Sequence, residues 1–192
     1  MDWKIKELNL EFSLQELKNY FDYLERSWIH LRWDADRNDV NDSSKHQIEG
    51  VYGWGIQSNL KDLTQPCPPY HVHKEGTQDY RDTALMFGFA ESIKEAFPYS
   101  RQHSIAVHPP GTVINLHTDT AKWIKIHVPI QGNDNSYFTF EDEKFILEPG
   151  KAYLVNTTLM HGTNNLGTTN RAHFFFKIPA DMVDDVLTVK KI

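Results

Sequence analysis

The rhythm of hydrophobic and polar positions changes once along this chain, close to residue 100. Ahead of that point residues 3–12 partly alternate and predict a strand, an outer one. Ser13-Leu14-Gln15-Glu16 then has the Ser-x-x-Glu form of a capping box, in which two side chains satisfy backbone N–H groups at a helix start. Behind it Leu14, Leu17, Phe21, Leu24, Trp28 and Leu31 recur at three- and four-residue spacing. That stripe predicts an amphipathic helix of about five turns laid on an apolar surface. Residues 51–57 read as a short aromatic strand. A second helix is expected over 80–97, with Leu85, Met86, Phe89, Ile93 and Phe97 on one side and Pro98 ending it. Residues 34–44 are polar and aperiodic, a loop, and 65–70 hold three prolines, which excludes a central strand. An irregular region as long as 34–80 suggests a functional cover, here over the mouth of a site.

After residue 100 the period becomes two. Segments 104–108, 112–117, 122–128, 136–140, 144–147, 151–156 and 171–178 alternate, and turn residues such as Pro109-Pro110-Gly111 and Glu148-Pro149-Gly150 separate them. Short strands at this spacing predict an antiparallel sandwich or barrel, and helices first with strands afterwards predict an α+β protein, mainly β. Residues 179–187 add a short acidic helix.

Composition narrows the function classes. The 192 residues carry a net charge of −6, without a run of Lys or Arg, which speaks against a nucleic-acid-coating surface. No stretch approaches the ~20 apolar residues of a membrane span. The N-terminus is charged and lacks a signal-peptide core, and the single Cys67 cannot form an internal disulfide. These features lead us to expect a cytoplasmic protein with no membrane or nucleic-acid partner.

The ten histidines matter by position. His117 and Asp119, at i and i+2, share a strand face if the chain there stays extended, and His161 must come from a distant strand. Two imidazoles and one carboxylate cover one face of an octahedron and leave positions open, which suits non-haem Fe(II) rather than closed structural zinc. Lys125 and His127 share a face with Trp123, while Ile124, Ile126 and Val128 take the other. On an interior face Lys125 and His127 can bind carboxylate oxygens, and Arg171 can clamp a carboxylate through two parallel hydrogen bonds. Taken singly these residues have ordinary readings: a chance His-x-Asp, a turn at His161-Gly162, solvated charges at Lys125 and Arg171. Their combination on strand faces favours a site. The pair His71 and His73 is a weaker rival, without a carboxylate at the matching spacing.

These residues resemble the Fe(II)/2-oxoglutarate-dependent dioxygenases, in the aspartyl/asparaginyl β-hydroxylase and free-proline hydroxylase branch. The matching text is Pro110-Gly111-Thr112, His117-Thr118-Asp119, Ile124 to Pro129, Leu147 to Asn156, His161-Gly162 with Asn164, and Arg171-Ala172-His173. It spans roughly residues 104–178. The resemblance implies a double-stranded β-helix (jelly-roll, cupin-like) core braced by N-terminal helices. It implies one dioxygenase domain over 1–192: support and lid in 1–100, core in 101–178, tail in 179–192. Iron would sit on His117, Asp119 and His161. Arg171 would hold the distal carboxylate of 2-oxoglutarate, with His127, Lys125 and Ser104 assisting. At Lys125 the group commonly has arginine, and lysine keeps the charge but loses the bidentate fork. Trp123, Asn115, His173 and Phe175 are expected around the metal or on the substrate side.

The implied reaction consumes O2 and 2-oxoglutarate, releases succinate and CO2, and hydroxylates a C–H bond of an amino acid or amino-acid residue. The substrate is thus a small molecule or a peptide, and its identity, like the oligomeric state, is not legible here. The alternatives are a cupin-like metalloenzyme, such as an isomerase, that does not use 2-oxoglutarate, and a non-catalytic metal-binding barrel.

Overall fold

Two antiparallel β-sheets face each other in the computed structural model of the protein, which describes residues 3–32, 50–58, 63–64, 80–119 and 121–188. The chain runs through β1 (Ile5–Glu11), α1 (Leu14–Ser27), β2 (Leu31–Arg32), β3 (Tyr52–Gly55), β4 (Gln57–Ser58), β5 (Arg81–Asp82) and α2 (Phe89–Ala96). It continues as β6 (Arg101–His108), β7 (Thr112–His117), β8 (Trp123–Gln131), β9 (Ser136–Phe140), β10 (Glu143–Phe145) and β11 (Lys151–Val155). Then come β12 (His161–Asn165), β13 (Arg171–Pro179), a 3-10 turn at Ala180–Met182 and α3 (Val183–Thr188). The large sheet has the order β1-β11-β8-β13-β6-β3-β2, the small one β10-β9-β12-β7, and β4 pairs with β5 alone. The core is a double-stranded β-helix braced by helices on the outer face of the large sheet.

Alternation assigns each residue of the large sheet to a face. Ile124, Ile126, Val128 and Ile130 of β8, with Phe174, Phe176 and Ile178 of β13, lie under Leu17, Phe21 and Leu24 of α1 and Phe89 and Ile93 of α2. Each such fully buried side chain contributes about 1.5–3 kcal/mol of transfer free energy. The opposite, inner face meets the small sheet, where Phe138, Phe140, Leu147, Tyr153 and Val155 form a second, smaller core.

Most predicted elements lie where the pattern put them. The Ser13 hydroxyl accepts from the Glu16 amide at 3.3 Å, as an N-cap should. Strand β1 is an edge strand, and 112–117 and 136–140 are strands over those same residues. Three expectations change. Helix α1 stops at Ser27, because Trp28 is extended and Leu31 is taken into β2, opposite Gly53 of β3. The second helix begins at Phe89 rather than 80: Gly88 has φ +54, which no helix interior accommodates, and Arg81–Asp82 pair with β4. Strand β12 was not among the predicted strands. The polar stretch 34–44, the proline-rich 65–70 and the His71 and His73 pair lie outside the described residues. Among the described residues no helix is long and apolar enough to cross a membrane.

Candidate metal centre

His117 ends β7 and His161 begins β12, and the two strands place them directly across from each other. Alternation alone would not point His117 inward. Thr112 and Ile114 are buried, so in a regular strand Leu116 would follow them inward and His117 would face out. The register instead shifts: Thr163 pairs with Ile114 and His161 with His117, so three residues of β7 span two of β12. This bulge resets the parity, leaving Leu116 47% exposed and turning His117 towards His161. Gly162 permits it, since a Cβ there would sit 2.6 Å from the Ile114 carbonyl oxygen.

Asp119 lies just past the end of β7 and is held by its amide, which donates to the Thr157 carbonyl at 2.8 Å. One ligand atom from each of His117, Asp119 and His161 lies within 4.8 Å of the others. The His117 and His161 rings are 4.4 Å apart, and His117 Nε2 is 4.0 Å from Asp119 Oδ1.

The donor set fits a divalent metal. His117 Nδ1 lies 2.8 Å from the Asn115 carbonyl oxygen and His161 Nδ1 lies 2.9 Å from that of Leu159. A carbonyl only accepts, so both Nδ1 atoms carry the proton and both Nε2 atoms keep the lone pair that a metal needs. Burial first, then the charges of Lys125 and His117, bring His161 down to about 4, which makes it a neutral ligand at neutral pH. Burial would raise the Asp119 pKa, but the Lys125 ammonium, by charge and hydrogen bond, outweighs it and holds the carboxyl below its usual range. Lys125 Nζ is 2.6 Å from Asp119 Oδ2, which leaves Oδ1 as the oxygen on the His117 side.

Further along the inner face sits Arg171, 2% exposed. Its guanidinium contacts His108 Nδ1 and His173 Nδ1, each at 3.3 Å, and lies 4.9 Å over the Phe138 ring. A guanidinium only donates, so both imidazoles accept as neutral bases. Burial, and secondly the Arg171 charge, pushes both well below the usual histidine range. Neutral acceptors fix the cation without cancelling its charge. Beside it His127 is stacked on Phe175 at 5.5 Å, and both of its ring nitrogens are buried without a hydrogen bond among the described residues. An unmet buried polar atom costs about 1–3 kcal/mol, so His127 calls for a polar partner.

Residues 73–180, more than half of the chain, match the sequence profile of aspartyl/asparaginyl β-hydroxylases. The chain belongs to the aspartyl/asparaginyl β-hydroxylase family. No curated protein sequence is significantly similar to it. Among solved structures, this family member shares its fold with HygX from Streptomyces hygroscopicus, a crystal structure with nickel and 2-oxoglutarate bound. That pair is 11% identical, covers 90% of this chain and 80% of HygX, and has a TM-score of 0.52. A 2OG-Fe(II) oxygenase family oxidoreductase from Burkholderia pseudomallei is 14% identical over 85% of this chain and 78% of that one, with a TM-score of 0.49.

The remaining predicted residues of this β-hydroxylase family member divide between the two ends of the face. Ser104 is buried opposite Phe175, between the Arg171 and Lys177 rungs, and its hydroxyl reaches the Gln102 carbonyl at 3.5 Å. His173 and Phe175, expected on the substrate side, pack around Arg171 and His127. Lys125 lies with Asp119 at the metal end. Trp123 is partly exposed at the start of β8, 5.6 Å below the Arg101 guanidinium. Asn115 is exposed, and its carbonyl orients His117.

Two residues were missed. His108 is buried across from Arg171, and its position at the end of an alternating segment carried no signal of a partner 63 residues away. Lys177 continues the Arg171, His173, Phe175 face and lies across from Lys125; that alternation was the signal available. Burial first, and then the Lys125 ammonium, lowers Lys177 to about 8.

Proposed function

We propose that this family member is an Fe(II)- and 2-oxoglutarate-dependent dioxygenase that hydroxylates a C–H bond of an amino acid or amino-acid residue, with succinate and CO2 as coproducts. The observation that carries the reading is a single inner face with two stations. One is the convergence of His117, Asp119 and His161, with both Nε2 atoms freed for a metal. The other is a buried Arg171 steadied by two neutral imidazoles. HygX, which has the same fold, binds nickel and 2-oxoglutarate, and this supports the pairing of the two stations.

The reaction balances as one O2 divided between two products: one oxygen enters the substrate as hydroxyl, the other enters succinate, and one carbon of 2-oxoglutarate leaves as CO2. Fe(II), when bound by the three side chains, supplies the redox chemistry that activates O2. The chain does the rest. Lys125 holds Asp119 Oδ2, so the carboxylate presents its other oxygen. Arg171 takes the distal carboxylate of the cosubstrate, in place of water, in a two-bond grip that His108 and His173 orient. His127 donates a ring N–H to a cosubstrate oxygen and so meets its own unsatisfied bonding. Phe138 and Phe175 pack against Arg171 and His127 and exclude water from them. In a cupin-like enzyme that did not use 2-oxoglutarate, Arg171 would have no cosubstrate to anchor.

Calorimetry tests this without a substrate. Titrating 2-oxoglutarate into Mn(II)-loaded protein under nitrogen should show binding, and Arg171→Met should weaken it at least a hundredfold, since two charge-assisted hydrogen bonds carry about 1.5–3 kcal/mol each. If the wild-type protein binds no 2-oxoglutarate, the dioxygenase reading is rejected in favour of the cupin-like one.

A further inference from the structure

Strand β12 carries an inward polar group that neither station has used. Its pairing with β9 is regular, so His161, Thr163 and Asn165, at i, i+2 and i+4, share the inner face. His161 belongs to the metal station. The Asn165 amide donates to the His108 carbonyl at 2.7 Å, and His108 stands across from Arg171 in the cosubstrate station. Thr163 is midway between them, roughly 7 Å along the strand from each at ~3.3 Å per residue.

Thr163 is 6% exposed, and its hydroxyl has no hydrogen-bond partner among the described residues. Its neighbours in the rung are Ile114 on β7 and Phe138 on β9, and neither side chain can accept the proton. Residues directly opposite in an antiparallel pair present their side chains on one face, so Thr163 stands beside the Phe138 ring. From the facing sheet the Arg171 guanidinium lies 4.9 Å over that ring, and the His127 ring is 5.0 Å from it. Arg171 also reaches on to His173, two residues along β13 towards the Lys125 end, which carries its guanidinium towards the level of Thr163. His127 and Thr163 thus meet around one ring from opposite sheets, each with buried polar atoms unmet. Native interiors seldom leave such atoms unpaired, and one guest bearing oxygens between the sheets satisfies both.

We propose that Thr163 is a cosubstrate-binding residue whose hydroxyl donates to the distal carboxylate of 2-oxoglutarate, beside the two hydrogen bonds from Arg171. This rests on the reading of the cosubstrate station given above. A carboxylate offers about four lone-pair sites and a guanidinium fork fills two, so one remains for a hydroxyl. Arg171 approaches from the large sheet and Thr163 from the small one, so the carboxylate is gripped from both sides and cannot turn about the arginine fork. The same strand, β12, then carries a metal ligand and a cosubstrate ligand two residues apart, which fixes the distance between the stations.

The test is calorimetric titration of 2-oxoglutarate into Mn(II)-loaded Thr163→Val and Thr163→Ser under nitrogen. Valine keeps the shape and removes the donor, and should weaken binding about tenfold, as the loss of one hydrogen bond to a charged group does. Serine restores the donor and should stay within about threefold of wild type. Without ligand Thr163→Val should melt no lower than wild type, because the hydroxyl it removes has no partner there. In the anaerobic Fe(II) protein saturated with 2-oxoglutarate, the visible charge-transfer band, which reports the chelating end of the cosubstrate, should keep its position in Thr163→Val. The proposal is overturned if Thr163→Val binds as wild type does, or if Thr163→Ser is as impaired as Thr163→Val. A lower unliganded melting temperature for Thr163→Val also overturns it, since the threonine would then be structural. A displaced band would put the hydroxyl on the chelating oxygens and overturn the assignment to the distal carboxylate. Absence of binding to the wild-type protein marks failure of the dioxygenase reading, whereas wild-type binding that Thr163→Val leaves intact marks failure of this proposal alone.

Discussion

Strands β8 and β13 each carry two different proteins on their two faces. Outward, Ile124, Ile126, Val128, Phe174 and Phe176 are fully buried beneath the helices, and each is replaceable in principle by another apolar group of its volume. Inward, Lys125, His127, Arg171, His173 and Lys177 alternate with them residue by residue; the two histidines and Arg171 are buried and the two lysines half-buried, though burial costs them solvation. The outer face stabilises the fold enough to hold the inner face in an arrangement that no packing argument would select. Stability and chemistry are thus separated by one peptide unit, not by domains.

The most severe way to break this division is from the outer side. Phe176→Ala removes a fully buried ring that packs on Phe97 and His103, and should cost about 3–5 kcal/mol in a urea melt. A loss of 2-oxoglutarate binding in the fraction that stays folded would show that the faces are not separable.

Acid probes the cost of the inner face. Burial depresses His108, His127 and His173 well below the usual histidine range, and brings His103, on the outer face, down to about 3. With folded values below the unfolded one of about 6.5, the unfolded chain binds more protons as pH falls through 6.5. Stability should be flat above that pH and drop below it, approaching ~1.4 kcal/mol per pH unit for each group. Denaturant midpoints at pH 7.5, 6.0 and 5.0 measure it; a midpoint that holds or rises on acidification would mean that these imidazoles are paired with acids.

The smallest expected effect sharpens the inner face itself. His108→Ala leaves Arg171 in place but loosens its orientation, and should weaken 2-oxoglutarate about tenfold, the equivalent of one hydrogen bond to a charged group. His108→Asn, which restores an acceptor, should recover part of that loss. An unchanged affinity in His108→Ala would show that His173 alone orients the guanidinium.

How much of this was legible beforehand follows from what alternation can encode. Period-two runs such as 112–117 and 136–140 announce strands because their inner positions are apolar or hydroxyl-bearing. His161-Gly162-Thr163-Asn164-Asn165 has no apolar residue at all, and it becomes a strand because β7 and β9 flank it on both sides. The His117 and Asp119 spacing was readable, but the β7 bulge that turns His117 inward was not, since it depends on which residue of β12 lies opposite. Residues 1–100 were read as support and lid, with strands at 3–12 and 51–57 whose partners were not legible. In fact β1 forms one edge of the large sheet and β3 with β2 the other, contacts that depend on partners about fifty or more residues away. Lys177 was overlooked because a lysine near the end of a strand ordinarily extends into solvent, whereas its register with Lys125 places it half-buried on the inner face.

The central claim is that the metal station and the cosubstrate station act together. It is tested most directly by succinate formation from 2-oxoglutarate after air is admitted to anaerobically reconstituted Fe(II) protein, with Asp119→Ala alongside. Wild-type protein should form succinate in step with O2 consumption, and Asp119→Ala should fall to the rate of free iron, a loss of at least a hundredfold. Equal succinate from both proteins, in samples that melt alike, would contradict the account.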